Sequence, residues 1–213
     1  CHPSMANNEL SGPTVVTFLA KWIQEIKDIN YSYRIILIPE TIGSIAYLSC
    51  NYKEMKNKIL AGFNVSCVGD DRAYSYVPSR NGKTISDVIA KHVLKWIDPN
   101  FIEYTWLDRG SDERQYCAPG IDLPIASILR TKYGRYPEYH TSLDNLENVV
   151  TPKGLDGGYW AIRKAIEAIE RNKKYKITVL CEPQMGKRGL YPTLSTKDTN
   201  KEVLLMMNFI SFC

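Results

Sequence analysis

The sequence predicts an α/β fold, a three-layer sandwich in which helices cover both faces of a mainly parallel or mixed sheet. Short apolar runs alternate along the chain with longer segments whose apolar residues recur at helical spacing. The 213 residues, of which 44% are hydrophobic and 23% charged, suit one large domain plus a small appendage. No apolar run approaches the roughly 20 residues that span a bilayer, so we expect no membrane partner.

The regular elements follow from these patterns in chain order. Ser11-Gly12-Pro13 has the composition of a helix start, and Val15, Leu19 and later apolar residues continue at helical spacing. The predicted helices are 11–29, 42–56, 84–97 and 158–171. Apolar runs bounded by Pro, Gly or Asp predict strands. The predicted strands are 33–38, 62–68, 101–107 and 123–129.

The chain changes character after about Lys173. A basic stretch leads into a predicted strand at 177–180, a Gly/Pro-rich connection at 182–195 and a predicted helix at 199–212. Such a charge run is more often a solvated face than a nucleic-acid site, and the net charge of +4 is small, so we do not expect nucleic-acid binding. The six cysteines form no CxxC pair, which favours free buried thiols in a reducing, cytoplasmic compartment.

Candidate functional residues lie where predicted strands end. Glu40 and Asp70 each follow a strand, and His2 and His140 lie in polar loops, whereas His92 has the context of a helix surface. Two His with Asp or Glu at converging strand ends are the usual ligands of a hydrolytic zinc site. Carboxylates also cap helix N-termini, so spacing alone leaves both readings open.

Five short segments, in order and with suitable spacing, sharpen this reading. Together they resemble the zinc aminopeptidase superfamily, which includes di-zinc aminopeptidases and single-zinc glutaminyl cyclases. The closest likeness is to a bacterial aminopeptidase-like subgroup that is associated with polysaccharide biosynthesis and carries a C-terminal winged helix. The segments are Cys1–Gly12, Ile38–Ser44, Gly69–Asp71, Ser111–Arg114 and Tyr139–Asp144.

The resemblance implies a role for each segment. His2, Asn8, Asp70 and His140 stand at positions of metal ligands, and Glu40 at that of the general base that takes a proton from zinc-bound water. Asp112, Arg114 and Tyr139 fall where substrate contacts are expected. The cofactor implied is zinc. The function implied is that of a metallopeptidase, a hydrolase that cleaves a peptide or amide bond in a peptide or aminoacyl small molecule.

Three departures weaken the likeness. Asn8 replaces a metal-bridging Asp, Thr41 replaces a ligand Glu, and Ser4 replaces an orienting Asp. Each change removes negative charge, so we expect one zinc ion rather than two. The alternative is a catalytically weakened or inactive binding or regulatory module on the same fold.

The resemblance also sets expectations for domain organisation. Residues 1–172 correspond to the aminopeptidase-like domain, and 173–213 to a linker and the start of a winged-helix-like domain. A strand precedes the first ligand His in the resembled fold, so we expect this chain to lack the N-terminal part of its domain and to expose a sheet edge. The sequence leaves open whether the chain forms a homo-oligomer.

Overall fold

The computed structural model describes residues 2, 4–189 and 201–213. They fall into two compact units, Cys1–Glu170 and Arg171–Cys213. The first unit contains five α-helices and four β-strands in its described part. The helices are α1 (Ser11–Glu25), α2 (Ile42–Lys58), α3 (Ile85–Ile97), α4 (Glu113–Tyr116) and α5 (Pro152–Arg171, whose last residue begins the second unit). The strands are β1 (Gly62–Asn64), β2 (Ser75–Val77), β3 (Ile102–Glu103) and β4 (Ile125–Leu129).

The four strands form one mixed sheet in the order β1-β4-β2-β3. β1 runs parallel to β4, with Phe63 opposite Ala126. β2 is antiparallel to β4 and parallel to β3. The sheet is therefore mixed, and β1 and β3 are the edge strands among the described residues.

The side chains of β4 alternate between two cores, as the two-residue period of a strand requires. Ala126 and Ile128 pack with buried residues of α1, α3 and α5. Leu129 packs with Val77 and Tyr133, and Ile125 packs against a cluster formed by α2 and α4. Helices thus cover both faces, which confirms the predicted α/β sandwich.

The α3 helix shows how closely the sequence sets some boundaries. Thr84 begins it as a capping box: its side chain accepts from the Asp87 N–H, and the Asp87 carboxylate accepts from Thr84 N. Asp87 also accepts from the Tyr76 hydroxyl at 2.7 Å and from Ser79 N at 2.8 Å. This wholly buried carboxylate therefore joins α3 to β2.

Several predicted boundaries need correction. The strand predicted at 62–68 is regular only over Gly62–Asn64, and the one predicted at 101–107 only over Ile102–Glu103, followed by a 3₁₀ turn. α1 ends at Glu25 rather than near residue 29, because Ile26 adopts an extended backbone. β2 and α4 were not predicted, since Ser75–Val77 and Glu113–Tyr116 are too short to show a period.

The largest difference concerns residues 33–38, which the sequence predicts as a strand buried on both faces. The segment is not part of the sheet, and two of its apolar side chains are exposed, Ile35 at 44% and Leu37 at 63%. A strand needs a hydrogen-bonded neighbour, and the described residues supply none at this position.

The second unit has α6 (Lys201–Ser211) and a 3₁₀ turn at Gly186–Arg188. The strand predicted at 177–180 is absent from the described residues, which are irregular there. Residues 190–195 of the predicted connection and 199–200 of the predicted helix lie outside the described part of the chain. Lys173, Lys174 and Lys176 are exposed, as a solvated basic face requires.

Among the described cysteines, Cys50, Cys67, Cys117, Cys181 and Cys213 are free thiols, of which Cys67 and Cys117 are buried. The helices of the described chain are all too short or too polar to cross a membrane.

Candidate functional site

The first candidate residues lie where the chain enters α1. Residues Ala6–Leu10 form one π-helical turn that continues directly into the helix. α1 approaches the sheet so closely that a Cβ on Gly12 would lie 2.2 Å from the carbonyl oxygen of Val65. Glycine is therefore required at position 12, and the close approach brings Asn8 beside the segment that follows β1.

The two predicted histidine ligands are neighbours. The ring centroids of His2 and His140 are 4.1 Å apart, and Nδ1 of His2 lies 3.4 Å from the Glu9 carboxylate. The His140 ring stacks on Tyr139 with centroids 3.9 Å apart. The Asn8 amide donates to the Glu9 carboxylate at 3.2 Å. Residues that are 138 positions apart in sequence are thus neighbours in space, and Glu9 contacts one of them.

Glu40 and Thr41 lie at the start of α2 and contact the loop around Asp112. Thr41 N donates to Asp112 Oδ1 at 2.8 Å, and the Arg114 guanidinium donates to Thr41 Oγ1 at 2.8 Å and to the carbonyl of Ser111 at 3.2 Å. Burial raises the pKa of Asp112, partly offset by the hydrogen bond from Thr41 N. These contacts fix the guanidinium beside the segment that carries Glu40.

Tyr139 stacks on His140 and is affected by the charges of Glu40, Glu9 and Arg114. Burial is the main reason that the pKa of Tyr139 is raised to about 12; the negative charges of Glu40 and Glu9 raise it further and Arg114 opposes them. The raised pKa disfavours the phenolate further, and the neutral phenol can act as a hydrogen-bond donor. We call the group of His2, Glu9, Glu40, Tyr139 and His140 the cleft cluster.

A second network lies directly beneath the cleft cluster. The Asp144 carboxylate accepts from Asn7 N at 2.7 Å, Asn8 N at 3.1 Å and the Tyr136 hydroxyl at 3.0 Å. It thereby satisfies the first N–H groups of the π-helical turn, as a capping carboxylate does. We call Asn7, Asp70, Thr131, Tyr136 and Asp144 the buried frame.

Asp70 belongs to this buried frame. Its two oxygens accept from Asn7 Nδ2 at 3.2 Å, Arg72 N at 3.1 Å, Thr131 N at 2.9 Å and Thr131 Oγ1 at 2.5 Å. Its side chain is 1% exposed. The structure thus gives Asp70 a structural task, and its role as a metal ligand stays a prediction.

The residues found beside Asn8 are Ser66 and Cys67. Ser66 Oγ donates to the Asn8 carbonyl at 3.0 Å, and Cys67 Sγ lies 3.8 Å from Asn8 Oδ1. Burial raises the pKa of the Cys67 thiol to about 12. The sequence analysis missed both because it extended the strand to residue 68. β1 ends at Asn64, so the rule that sites follow strand ends selects residues 65–67 rather than 69–71.

Glu113 was also missed. Its buried carboxylate accepts from Gly110 N at 2.8 Å, Ser111 N at 3.0 Å and the Tyr133 hydroxyl at 2.5 Å. Asn64 Nδ2 donates to it at 3.0 Å from the end of β1. Glu113 therefore orders the loop from which Asp112 and Arg114 extend, a task that sequence spacing does not reveal.

Backbone strain is concentrated at this pocket. Five non-glycine residues of the described chain have positive φ, and three of them are Thr41 at +62°, Cys67 at +49° and His140 at +59°. The left-handed region is costly for side chains with a Cβ, most of all for a β-branched threonine. Strain of this kind is typically retained where geometry serves function.

The residues do not form a complete zinc site as they are arranged. Within the described chain, no three His, Cys, Asp or Glu side chains are grouped as ligands of one metal ion. His2 and His140 supply two imidazoles and the Glu9 carboxylate contacts His2, whereas Asn8, Thr41 and Ser66 have neutral side chains. A zinc ion normally takes three or four anionic or imidazole ligands, so the donor set is short by at least one.

Comparison with known proteins places these features in a family. Residues 1–172 match a family described as a domain of unknown function, DUF4910, and residues 173–213 match a winged helix-turn-helix family. A Clostridium acetobutylicum protein, named for polysaccharide biosynthesis and an aminopeptidase-like domain, is 42% identical over 192 residues, which are 90% of this chain and 43% of that protein.

Solved structures give the same picture. A crystal structure described as a peptidase from Clostridium acetobutylicum is 36% identical with a TM-score of 0.81, and the match covers 100% of this chain and 52% of that one. BSAP, a zinc aminopeptidase from Bacillus subtilis, is 18% identical with a TM-score of 0.63, over 80% of this chain and 43% of that one. This chain spans about half the length of these relatives. It belongs to the DUF4910 family, and its first 172 residues have an aminopeptidase-like fold.

Proposed function

We propose that residues 1–172 act as an aminopeptidase-like hydrolase domain that cleaves an amide bond in a peptide or aminoacyl small molecule. The observation that carries the proposal is the cleft cluster together with Arg114. The charges of the Glu40 carboxylate and the Arg114 guanidinium both act on the Tyr139 phenol, and Arg114 is hydrogen-bonded to Thr41, next to Glu40, in a peptidase-like fold. The peptidase-like names of the relatives support the reaction class.

Glu40 is the general base in this proposal. Its carboxylate takes a proton from a water molecule, and the oxygen of that water forms a bond to the carbonyl carbon of the substrate. The C–N bond then breaks, and the proton held by Glu40 goes to the departing amine. Hydrolysis is balanced by this one water, and Glu40 returns to its starting state.

Tyr139 and Arg114 stabilise the negative charge that develops on the carbonyl oxygen. Tyr139 donates from a hydroxyl that its burial keeps protonated, and Arg114 is held in place by Thr41 and Ser111. Donors that are fixed before the reaction lower the barrier more than mobile ones. Asp112, ordered by Thr41 N, is the proposed contact for a positively charged group of the substrate.

The proposed reaction does not depend on zinc, because the set of metal ligands is incomplete. The direct test is metal content: the protein is dialysed against one equivalent of zinc, and bound metal is measured beside an Asn8→Asp variant. The added carboxylate replaces the Asn8 amide, which contacts Glu9, the neighbour of His2, so we expect at least tenfold tighter zinc binding by the variant. Equal binding by both proteins would show that Asn8 is not the missing ligand position.

The activity test uses a panel of aminoacyl-amides, with and without one equivalent of zinc. We expect turnover that falls about 100-fold or more in Glu40→Gln, which is the usual contribution of a general base. The control is Glu147→Gln, an exposed carboxylate of the loop after His140, which should leave turnover unchanged. Equal turnover by the wild type and Glu40→Gln would contradict the assignment of Glu40.

A binding module is the second candidate, and one specific observation motivates it. Thr41 stands where the resembled family has a ligand Glu, and both its N–H and its hydroxyl are engaged by Asp112 and Arg114. The same pocket would then hold a peptide or amino-sugar without cleaving it. Saturable binding of a panel compound with no turnover, with or without zinc, would select this candidate.

A further inference from the structure

Lys132, in the connection that follows β4, is a buried cation without a carboxylate partner. The residue is only 5% exposed, and its ammonium donates to the carbonyl of the neighbouring Tyr133 at 3.3 Å. In the described chain it forms no ion pair with a carboxylate. A buried lysine is normally paired, because removing an unpaired charge from water is costly. Two of its three N–H groups thus have no acceptor among the described residues.

Two tyrosine rings hold the ammonium in place. The Nζ atom of Lys132 lies 4.0 Å from the centre of the Tyr133 ring and 5.2 Å from the centre of the Tyr104 ring. The negative charge of a ring face attracts a cation, but it is a weaker partner than the oxygens of a carboxylate. The rings therefore fix the position of the ammonium and leave its hydrogen bonds available.

A second cation lies at the same ring. The Arg135 guanidinium is 5.6 Å from the centre of the Tyr104 ring, and its side chain is 55% exposed, so solvent reaches this side of the pair. Burial is the main reason that the pKa of Lys132 is lowered, and the like charge of Arg135 lowers it further. The negative charges of Asp108 and Glu113 act in the opposite direction without outweighing these causes.

The two nearby carboxylates are already engaged elsewhere. Asp108 accepts from Thr105 N at 3.0 Å and from its hydroxyl at 2.8 Å, and its other oxygen faces Arg135 at 3.4 Å. The buried Glu113 carboxylate already accepts four hydrogen bonds. Either side chain would leave donors without an acceptor if it moved to pair with Lys132.

This pair of cations adjoins the candidate site. The ring of Tyr133, on which the Lys132 ammonium lies, also contacts the loop that carries Asp112 and Arg114. A Cβ on Gly110, in that loop, would lie 2.6 Å from the ring. A ligand held by the two cations is therefore next to the loop to which the proposed reaction assigns substrate contacts.

We propose that Lys132 and Arg135 bind a carboxylate of the substrate, so that the domain acts on peptides or aminoacyl compounds that carry an acidic group. This inference rests on the proposed function and names the substrate class of that site. A carboxylate supplies the acceptors that the buried ammonium lacks, and it also matches the planar donors of a guanidinium.

Binding of two matched dipeptide amides tests the proposal. Ala-Glu-NH2 and Ala-Gln-NH2 have the same shape and differ only in one carboxylate. Calorimetry measures their affinities for the wild type and for Glu40→Gln, which should not consume them. We expect both proteins to bind Ala-Glu-NH2 about tenfold or more tightly than Ala-Gln-NH2, as charge-assisted hydrogen bonds provide. This comparison requires no change at Lys132.

Variants then assign the preference to the two cations. Lys132→Met keeps the length of the side chain and its packing on the rings but removes the ammonium, so it should abolish the preference. Lys153→Met removes the same charge from an exposed position on α5 and should leave the preference unchanged. Arg135→Gln, at an exposed position where folding is not at risk, should reduce the preference about threefold or more.

Equal affinity of the wild type for the two dipeptide amides would overturn the proposal, as would a preference that persists in Lys132→Met. Displacement of Ala-Glu-NH2 by inorganic phosphate at lower concentration than by acetate would also overturn it, because the site would then be one for phosphate.

The same data separate this proposal from the proposed hydrolysis. A preference for Ala-Glu-NH2 without cleavage of any amide would support the carboxylate site and contradict hydrolysis. Cleavage of acidic and neutral amides at equal rates and with equal affinity would support hydrolysis and overturn the carboxylate site.

Discussion

The buried frame and the cleft cluster lie side by side, yet they use the same kinds of side chain in opposite ways. Asp70 and Asp144, each 1% exposed, accept hydrogen bonds with every carboxylate oxygen. In the cleft cluster, the side chains of His2 and Glu9 are 38% and 23% exposed and share one contact of 3.4 Å.

This difference shows what each carboxylate is available to do. An oxygen that already accepts two hydrogen bonds has little capacity left for a substrate, and its removal leaves buried donors without partners. A partly exposed group costs less to replace, because its loss leaves fewer buried donors without an acceptor. We therefore expect changes in the buried frame to lower stability and changes in the cleft cluster to alter chemistry.

The largest expected effect is that of Asp70→Ala. It leaves the Thr131 N–H and hydroxyl, the Asn7 amide and the Arg72 N–H without their shared acceptor, which should lower the free energy of unfolding by about 3 kcal/mol or more. Asp71→Ala, at the exposed neighbouring position, should cost less than about 0.5 kcal/mol. Urea unfolding measures the free energy of unfolding of both variants. A small loss for Asp70→Ala would contradict the stabilising role assigned to the buried frame.

A related test concerns acid stability through Asp87, a buried carboxylate elsewhere in the same unit. Burial alone would raise its pKa, but the hydrogen bonds from Ser79, Thr84 and Tyr76 outweigh burial and lower it. Since the folded pKa lies below the unfolded value of about 3.9, its stabilisation is present above that pH and is lost as the pH falls through the folded pKa. Asp87→Asn should cost about 2 kcal/mol at pH 7.

The acid arm of that experiment distinguishes charge from packing. As the pH falls below about 4, the difference in unfolding free energy between the wild type and Asp87→Asn should shrink. A difference that stays constant down to pH 2.5 would mean that the carboxylate charge contributes nothing.

Tyr136→Phe should have an intermediate effect. The variant keeps the ring but removes the hydroxyl that donates to Asp144 at 3.0 Å, so we expect a loss of about 1 kcal/mol. Tyr31→Phe, at an exposed position, should change stability by less than about 0.5 kcal/mol. Thermal melts at several urea concentrations can resolve this difference, and equal losses would remove Tyr136 from the buried frame.

The smallest expected effect is a gain. His140 is exposed and has a φ of +59°, so His140→Gly should raise the free energy of unfolding by about 0.5 kcal/mol, whereas His140→Ala keeps the strained Cβ and should not. The same change removes an imidazole from the cleft cluster. A loss of stability in His140→Gly would show that the His140 side chain stabilises the fold. His140 would then resemble the residues of the buried frame rather than those of the cleft cluster.

Much of the fold could be predicted because its signals are local. The capping box at Thr84 and the apolar periodicity of α3 and α5 depend on neighbouring residues, so they can be read from one sequence. The extent of strands could not, because pairing partners are distant. Residues 33–38 have the composition of a strand and lack the partner, whereas Ser75–Val77 pairs with β4 without a recognisable pattern.

The candidate site also contains residues that the sequence indicates and residues that it does not. Motif resemblance led to His2, Tyr139 and His140, whose rings lie together, and to Glu40, whose charge acts on Tyr139. It also led to Asp70, whose hydrogen bonds go to Asn7, Arg72 and Thr131. The predicted strand ended four residues later than β1 does, so Ser66 was not considered, since the position after a strand depends on where the strand ends.

Asp144 should also restrict the backbone motion of the long connection in which it lies. The connection of residues 130–151 contains no helix or strand, and a surface connection of that length would ordinarily fluctuate on the nanosecond scale. Asp144 and Tyr136 fasten it to the turn that opens α1, close to its tip at His140. We expect backbone order parameters at His140 near the value of about 0.85 that is usual for rigid backbone. The backbone that carries the imidazole would then be ordered before any ligand binds.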